Sequence, residues 1–335
     1  VYKNILVCLD NSDYANLGAD LGISFAGKLG SGLTGCHVYA AELHARRFKQ
    51  MEPGLPAKYQ HPKELKRQRE NHGVLISKGL EIIADSYTSD FESRCKAADV
   101  STASKTMEGK NYLEIVRELE GGAYDLVILG ALGLGVTEAS RIGSVCERVV
   151  RRTRTDVLVV RDSGAIASRI VVAVDGSPNS LAGVRIGVAL AKAFGVGLEA
   201  VSAYDPDFHY TAFRNIAGIL SEEAGRMFKF KEQETLHEEI IDKGLAKIYQ
   251  DYLDTAYGIA KDDGLEIETT LLSGKPYGCI LDHVRKVKSA LLITGRIGIH
   301  AAEGLDIGSN TENCLRQSAS NMLITSQNFS PLPKN

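Results

Sequence analysis

The chain has 335 residues, too many for a single small module, and at roughly 150 residues per domain two domains are expected. Hydrophobic residues make up 44% and charged residues 24%, and no apolar run approaches the roughly 18 to 20 residues that cross a bilayer, so a globular protein without a membrane partner is expected. A net charge of −3 excludes a global basic field, so nucleic acid is not an expected partner.

In chain order, an apolar β-branched run over 3–9 predicts a strand, and a helical stretch over 13–29 is stopped by Gly30. A second strand over 33–40 leads into a long polar, helix-prone region. A third strand near 99–107 and a helix opening after Gly109-Lys110 come next. Residues 125–129 make a fourth strand, and a glycine-rich loop, a helix over 145–152 and a fifth strand over 156–160 follow.

The pattern then starts again. Shifted by 165 residues, the chain matches itself nearly without gaps. Ile5-Leu-Val-Cys-Leu-Asp10 falls on Ile170-Val-Val-Ala-Val-Asp175, Gly30 on Gly195, Tyr112 on Tyr277, and Gly130, Gly133, Gly143 and Ser144 on Gly295, Gly298, Gly308 and Ser309. One offset relates every pair, so the halves are copies of one domain, at 1–161 and 169–326, joined by a linker of small residues over 162–168. The second copy predicts strands over 169–174, 198–204, 265–272, 290–294 and 321–325. Strands alternating with helices define an α/β class: two repeated domains, each a five-stranded parallel sheet with helices on both faces. Ligands of such sheets sit outside the carboxyl ends of the strands.

Two features meet at that edge. Asp10 and Asp175 end the first strand of each copy. The loop after the fourth strand reads Gly130-Ala-Leu-Gly133, nine residues, Gly143-Ser144, and then Gly295-Arg-Ile-Gly298, nine residues, Gly308-Ser309. Glycines after a buried strand let backbone amides approach a ligand, and a helix opening at Gly143-Ser144 offers free amides and a favourable dipole to an anion. The same glycines would serve as plain turn residues with Ser144 an N-cap, and either aspartate would serve as a helix cap. The exact repetition of both spacings favours a phosphate cradle.

Val-Cys-Leu-Asp10-Asn-Ser12, or Val-Ala-Val-Asp175-Gly-Ser177-Pro178, together with the Gly-x2-Gly-x9-Gly-Ser loop resembles the universal stress protein family, across both copies and hence nearly the whole chain. The resemblance implies an ATP-binding type that takes ATP (or ADP or AMP), with Mg2+ or Mn2+ on the phosphates, and pairs its domains through the last strand. It implies that Asp10 and the backbone near Val38 hold the adenine end, Gly130 and Gly133 the ribose and first phosphate, and Gly143, Ser144 and Val145 the distal phosphates. Asp175, Ala203, Gly295, Gly298, Gly308, Ser309 and Asn310 are the second set. Pairing of domains within the chain and a homodimer of chains are the partners expected beside the adenine nucleotide.

The copies differ in charge. Arg141, two residues before Gly143, is placed to reach a phosphate, whereas its counterpart is Asp306; Ala131 in turn is matched by Arg296. The first site is therefore expected to be the better triphosphate site. Residues 41–80 carry nine Lys or Arg against four Glu, a net of +5, and 206–245 five against eight acidic residues, a net of −3, which reads either as solvated helix faces or as contact between copies or chains. His44 with His209 and His72 with His237 recur at the common offset, as surface or interface histidines or as a shared metal site. The lysines of Gly109-Lys110 and Gly274-Lys275 read as surface residues beside a turn.

No Ser-His-Asp order, paired catalytic carboxylates or HExxH helix can be assigned, and the HxGH and SGGxDS loops of the catalytic relatives of this sheet are missing. A nucleotide-binding regulator of stress response with little or no turnover is the expectation; a slow ATPase or phosphotransferase and a non-nucleotide small-molecule carrier are the alternatives. The six cysteines show no CxxC pair and read as small buried hydrophobes of a reducing compartment, and no basic, apolar leader opens the sequence, so the location read is cytoplasmic.

Overall fold

The computed structural model describes residues 1–135, 141–162, 165–206, 215, 232, 242–300 and 304–326. Among them the chain divides into two compact units, Val1–Ala165 and Ile166–Asn335. In the first unit the elements are β1 (Asn4–Cys8), α1 (Asp13–Leu29), β2 (Gly32–Tyr39), α2 (Ala41–Met51), α3 (Pro62–Ala97), β3 (Thr102–Glu108), α4 (Asn111–Gly121), β4 (Leu126–Gly130), α5 (Ser144–Arg152) and β5 (Asp156–Val160). In the second they are β6 (Ile170–Ala173), α6 (Pro178–Phe194), β7 (Leu198–Tyr204), α7 (Asp242–Asp262), β8 (Glu268–Ser273), α8 (Pro276–Lys286), β9 (Leu291–Gly295), α9 (Ser309–Gln317) and β10 (Asn321–Thr325).

Each unit forms a five-stranded sheet, in the order β3-β2-β1-β4-β5 in the first and β8-β7-β6-β9-β10 in the second. The pairings are parallel in both. The central strands are apolar without alternation because helices cover the sheet: Ile5, Leu6 and Val7, like Val127, Ile128 and Leu158, are fully buried. The strand order reverses beside β1 and β6, which opens a crevice at the carboxyl ends of β1 with β4 and of β6 with β9.

The first helix of each unit is fixed at both ends by its sequence. Ser12 caps α1 through the Ala15 amide and Ser177 caps α6 through the Ser180 amide. Gly30 and Gly195 end these helices in the left-handed region, at φ 68° in both.

The polar region after β2 is largely one helix. Past α2 and two short 3-10 turns, α3 runs 36 residues, and only its last turns reach the core, through Ala84, Thr88, Phe91 and Cys95. That i, i+3, i+4 spacing lays one stripe on β2 and β3. The Phe91 ring occupies the space over Gly35, where a Cβ would come within 2.5 Å of it. At the equivalent positions the second unit carries Ala256 and Ala200, both buried, so the strand gains a methyl group where the helix no longer carries a ring. No helix among the described residues is long and apolar enough to cross a membrane.

The Phe91–Gly35 contact sets how α3 sits on the sheet. Gly35→Ala is expected to lower the stability of the first unit by about 1–3 kcal/mol through overpacking, and Gly35→Ala/Phe91→Ala to recover part of that loss relative to Phe91→Ala alone. Urea unfolding of the four proteins of this cycle measures the coupling; strictly additive losses would show that the two residues do not share the site.

Candidate functional site

A cleft of about 560 Å³ opens at the carboxyl edge of the first sheet, and one of about 270 Å³ at that of the second. Asp10, Val38, Gly130, Gly133, Gly143, Ser144 and Val145 line the first; Asp175, Ala203, Gly295, Gly298, Gly308, Ser309 and Asn310 line the second. The chain thus gathers residues from the ends of three strands and the start of one helix, at matching positions in both units.

Neither aspartate caps the following helix. The Asp10 Oδ1 accepts from the Ser12 amide (3.0 Å) and the Ser12 hydroxyl (2.5 Å), and Ser12 does the capping. Asp175 Oδ1 accepts from the Ser177 amide in the same way, at 3.0 Å. The second oxygen faces the glycine loop. A Cβ on Gly133 would lie 2.7 Å from Asp10 Oδ2, and one on Gly298 2.5 Å from Asp175 Oδ2. In the second unit this oxygen also accepts from the Ile299 amide, at 3.0 Å.

The other glycines clear room for the chain itself. A Cβ on Gly130 would meet the backbone of Tyr14 and Ala15 at 2.8 Å, and one on Gly295 the Ser180 amide at 2.9 Å. The amide of Gly143 donates to Ala131 O (2.7 Å) and that of Gly308 to Arg296 O (2.8 Å), so these two amides are already engaged. The free donors begin one residue later. Gly143 and Gly308 are the N-caps of α5 and α9, neither with a side-chain capping bond, so Ser144 is the first helical residue and the cap-serine reading of it does not hold. Two helix starts without side-chain caps therefore border the clefts, each carrying the partial positive charge of its unsatisfied amides.

The arginines of the two loops are placed differently. Arg141 is exposed and outside the cleft wall, and its carbonyl accepts from Arg161 Nη1 at 2.9 Å. Arg296 is buried, 6% exposed, with its Nε donating to the Ser326 hydroxyl at 2.9 Å, so the second loop's cation points into the fold and not toward the cleft. Asp306 is exposed.

Other wall residues come from segments read only as polar insertions. In the first unit α2 contributes His44, and α3 contributes Leu80, Ile83 and Tyr87. Tyr87 meets the His37 ring edge-on at 5.0 Å, and His37 Nδ1 lies 2.6 Å from Leu9 O. His72 stacks on Phe48 at 4.3 Å between ring centroids, joining α3 to α2. His209 and His237 lie outside the described residues. Among the described residues no group of three or more His, Cys, Asp or Glu side chains is arranged to hold a metal ion.

Three thiols form the floor of the first cleft: Cys8, Cys36 and Cys146. The Cys8 and Cys36 thiols share a hydrogen bond at 3.8 Å, which together with burial pushes Cys8 well above the usual thiol range. Burial pushes Cys146, and Cys314 in the second unit, up to about 12.

A fold with this strand order and a glycine loop leading into a helix start defines an α/β protein with a cleft at its switch point. The model of the universal stress protein family matches residues 1–161 and 167–326, and the chain belongs to that family, as a tandem of two such domains. The crystal structure of a universal stress protein from Archaeoglobus fulgidus DSM 4304 is similar over 97% of this chain and 98% of its own, at 14% identity and a TM-score of 0.63. A functionally unknown protein from Pseudomonas aeruginosa PAO1 is similar over 97% of this chain and 93% of its own, at 15% identity and a TM-score of 0.57. These likenesses show the fold. No curated protein matches the chain.

The buried thiols carry a pH signature. Held near 12 in the fold and near 8.5 in the unfolded chain, Cys146 and Cys314 keep protons that the unfolded state gives up. The fold then binds more protons, so stability falls as pH rises from about 9 to 12, by up to about 1.4 kcal/mol per pH unit for each thiol. Urea midpoints at increasing pH should fall, and Cys146→Ala/Cys314→Ala should flatten the slope; an unchanged slope in that variant would contradict the assignment.

Proposed function

We propose that each cleft holds an adenine nucleotide and that the occupied state acts as a signal in a stress response, with little or no turnover. The observation that carries this reading is the pairing, in both units, of an aspartate fixed against the loop glycine with a helix start whose first amides have no side-chain cap. The aspartate, with the backbone at Val38 or Ala203, is a polar receptor for a base or ribose. The amides from Ser144 or Ser309 onward are a receptor for phosphate oxygens. The first cleft lies within the roughly 300–1,000 Å³ common for small-molecule sites.

The site residues assigned to this role are Asp10, Val38, Gly130, Gly133, Gly143, Ser144 and Val145, with Asp175, Ala203, Gly295, Gly298, Gly308, Ser309 and Asn310. Gly130 and Gly295 act on the ligand indirectly, by letting the strand end sit against the following helix. Arg141 enters only as a residue of the approach to the loop. Mg2+ or Mn2+ is a cation that would come with the nucleotide, held on its phosphates. Holding phosphates without a placed base or activated water gives slow hydrolysis, since phosphoryl transfer depends on positioning the nucleophile.

The first cleft is the better triphosphate site: it is the larger of the two, and the second loop carries Asp306 where the first carries Arg141. ATP titrated into Gly143→Val and Gly308→Val separately should lose the tighter site in the first variant and the weaker site in the second. Equal losses would contradict the asymmetry, and steady ATP turnover at about 1 per second or faster would favour an enzyme instead.

A further inference from the structure

Outside the cleft, the first unit gathers three cations on one aromatic ring. Lys110 Nζ lies 5.2 Å, the Arg148 guanidinium 5.0 Å and the Arg152 guanidinium 5.1 Å from the centroid of Tyr112. Tyr112 stands in the first turn of α4, and the two arginines one and two turns into α5, which packs beside it. All three cations are exposed.

Nearby carboxylates are engaged by other cations. Glu114 pairs with Arg117 at 2.7 Å, Glu118 with Lys105 at 2.6 Å and Glu147 with Arg151 at 3.5 Å. No carboxylate among the described residues lies within ion-pair distance of Lys110, Arg148 or Arg152. Cation–π attraction holds each cation to the ring, yet three like charges crowded on one side chain repel one another, and a bound anion relieves that repulsion.

The second unit is an internal control. It retains the lysine and the tyrosine, as Lys275 and Tyr277, but has Asn313 and Gln317 in place of the two arginines. The helix and its packing therefore do not require guanidinium groups at these positions.

We infer that Lys110, Arg148 and Arg152 around Tyr112 form an oligophosphate-binding site on the α4–α5 face of the first unit. Phosphate is the chemistry that fits. Two guanidinium forks one helical turn apart match phosphate oxygens in bidentate fashion, and a chain of phosphates supplies the several negative charges that three converging cations balance. A lone carboxylate supplies one.

Tripolyphosphate titrated by calorimetry into the full chain is the test. The wild type should show a saturable site whose affinity falls by about tenfold or more in Arg148→Asn/Arg152→Gln, the pair that the second unit carries, and Tyr112→Phe, which keeps the ring, should retain it. The wild-type affinity should weaken as salt is raised. Parallel titrations with ATP and AMP separate the phosphate sources. If the double variant weakens ATP and spares AMP, the phosphates belong to a nucleotide; if both are spared while tripolyphosphate is lost, they belong to a free oligophosphate. Tripolyphosphate binding that is absent, or equal in the double variant, would overturn the proposal, as would equally tight binding of a polyglutamate peptide at these residues. Gly143→Val, which attacks the cleft, should leave tripolyphosphate binding at this site intact, so the two readings fail separately.

Discussion

The close approach of a carboxylate to a bare backbone holds the candidate site together. Asp10 reaches the loop after β4 only because Gly133 has no side chain, and Asp175 reaches the loop after β9 only because Gly298 has none. The other carboxylate oxygen is tied to the cap of α1 or α6, so one side chain fixes the end of the first strand, the start of the next helix and the near edge of the loop. The far edge is fixed by backbone alone, through Gly143 to Ala131 and Gly308 to Arg296. The loop thereby turns its last glycine into an N-cap without a side chain, which leaves the dipole of α5 or α9 to whatever occupies the cleft.

The two units keep this geometry while exchanging the residues around it. Phe91 and Gly35 are replaced by the buried Ala256 and Ala200. Near the end of the last strand, Ala131 beside Arg161 becomes Arg296 beside Ser326, so a guanidinium reaches the junction of loop and strand from the strand in one unit and from the loop in the other. The second of these swaps keeps one guanidinium at the junction. The changes at Arg148 and Arg152 are of another kind: Asn313 and Gln317 carry no charge, so the two faces differ in charge at these positions.

Much of the architecture was legible in the sequence because the repeat supplied every element twice. The α1 boundaries at Asp13 and Leu29 and the last strands at Asp156–Val160 and Asn321–Thr325 match the pattern of apolar runs and glycine stops. The third strand starts later than read, at Thr102, because Asp99 adopts φ 56° and spends the preceding residues on leaving α3. The wall contributed by Leu80, Ile83 and Tyr87 was missed, since α3 is polar over most of its length; the signal was the spacing of Ala84, Thr88, Phe91 and Cys95, which marks where the helix touches the sheet. Spacing also cannot tell a glycine that admits a ligand from one that admits a neighbouring helix. At Gly130 and Gly295 the missing side chain makes room for the neighbouring helix, while both residues line the clefts. Nor does charge in a loop give direction: Arg296, the second loop's cation in the sequence, is folded inward onto Ser326.

The most direct measurement is native mass spectrometry of the full chain, freshly purified, beside Gly133→Leu/Gly298→Leu, in which side chains drive both aspartates from their loops. The account predicts an adenine nucleotide retained by, or readily added to, the unaltered chain, at up to two per chain, and none on the variant. An unaltered chain that neither retains nor takes up a nucleotide, or a variant that holds it equally well, would contradict the account.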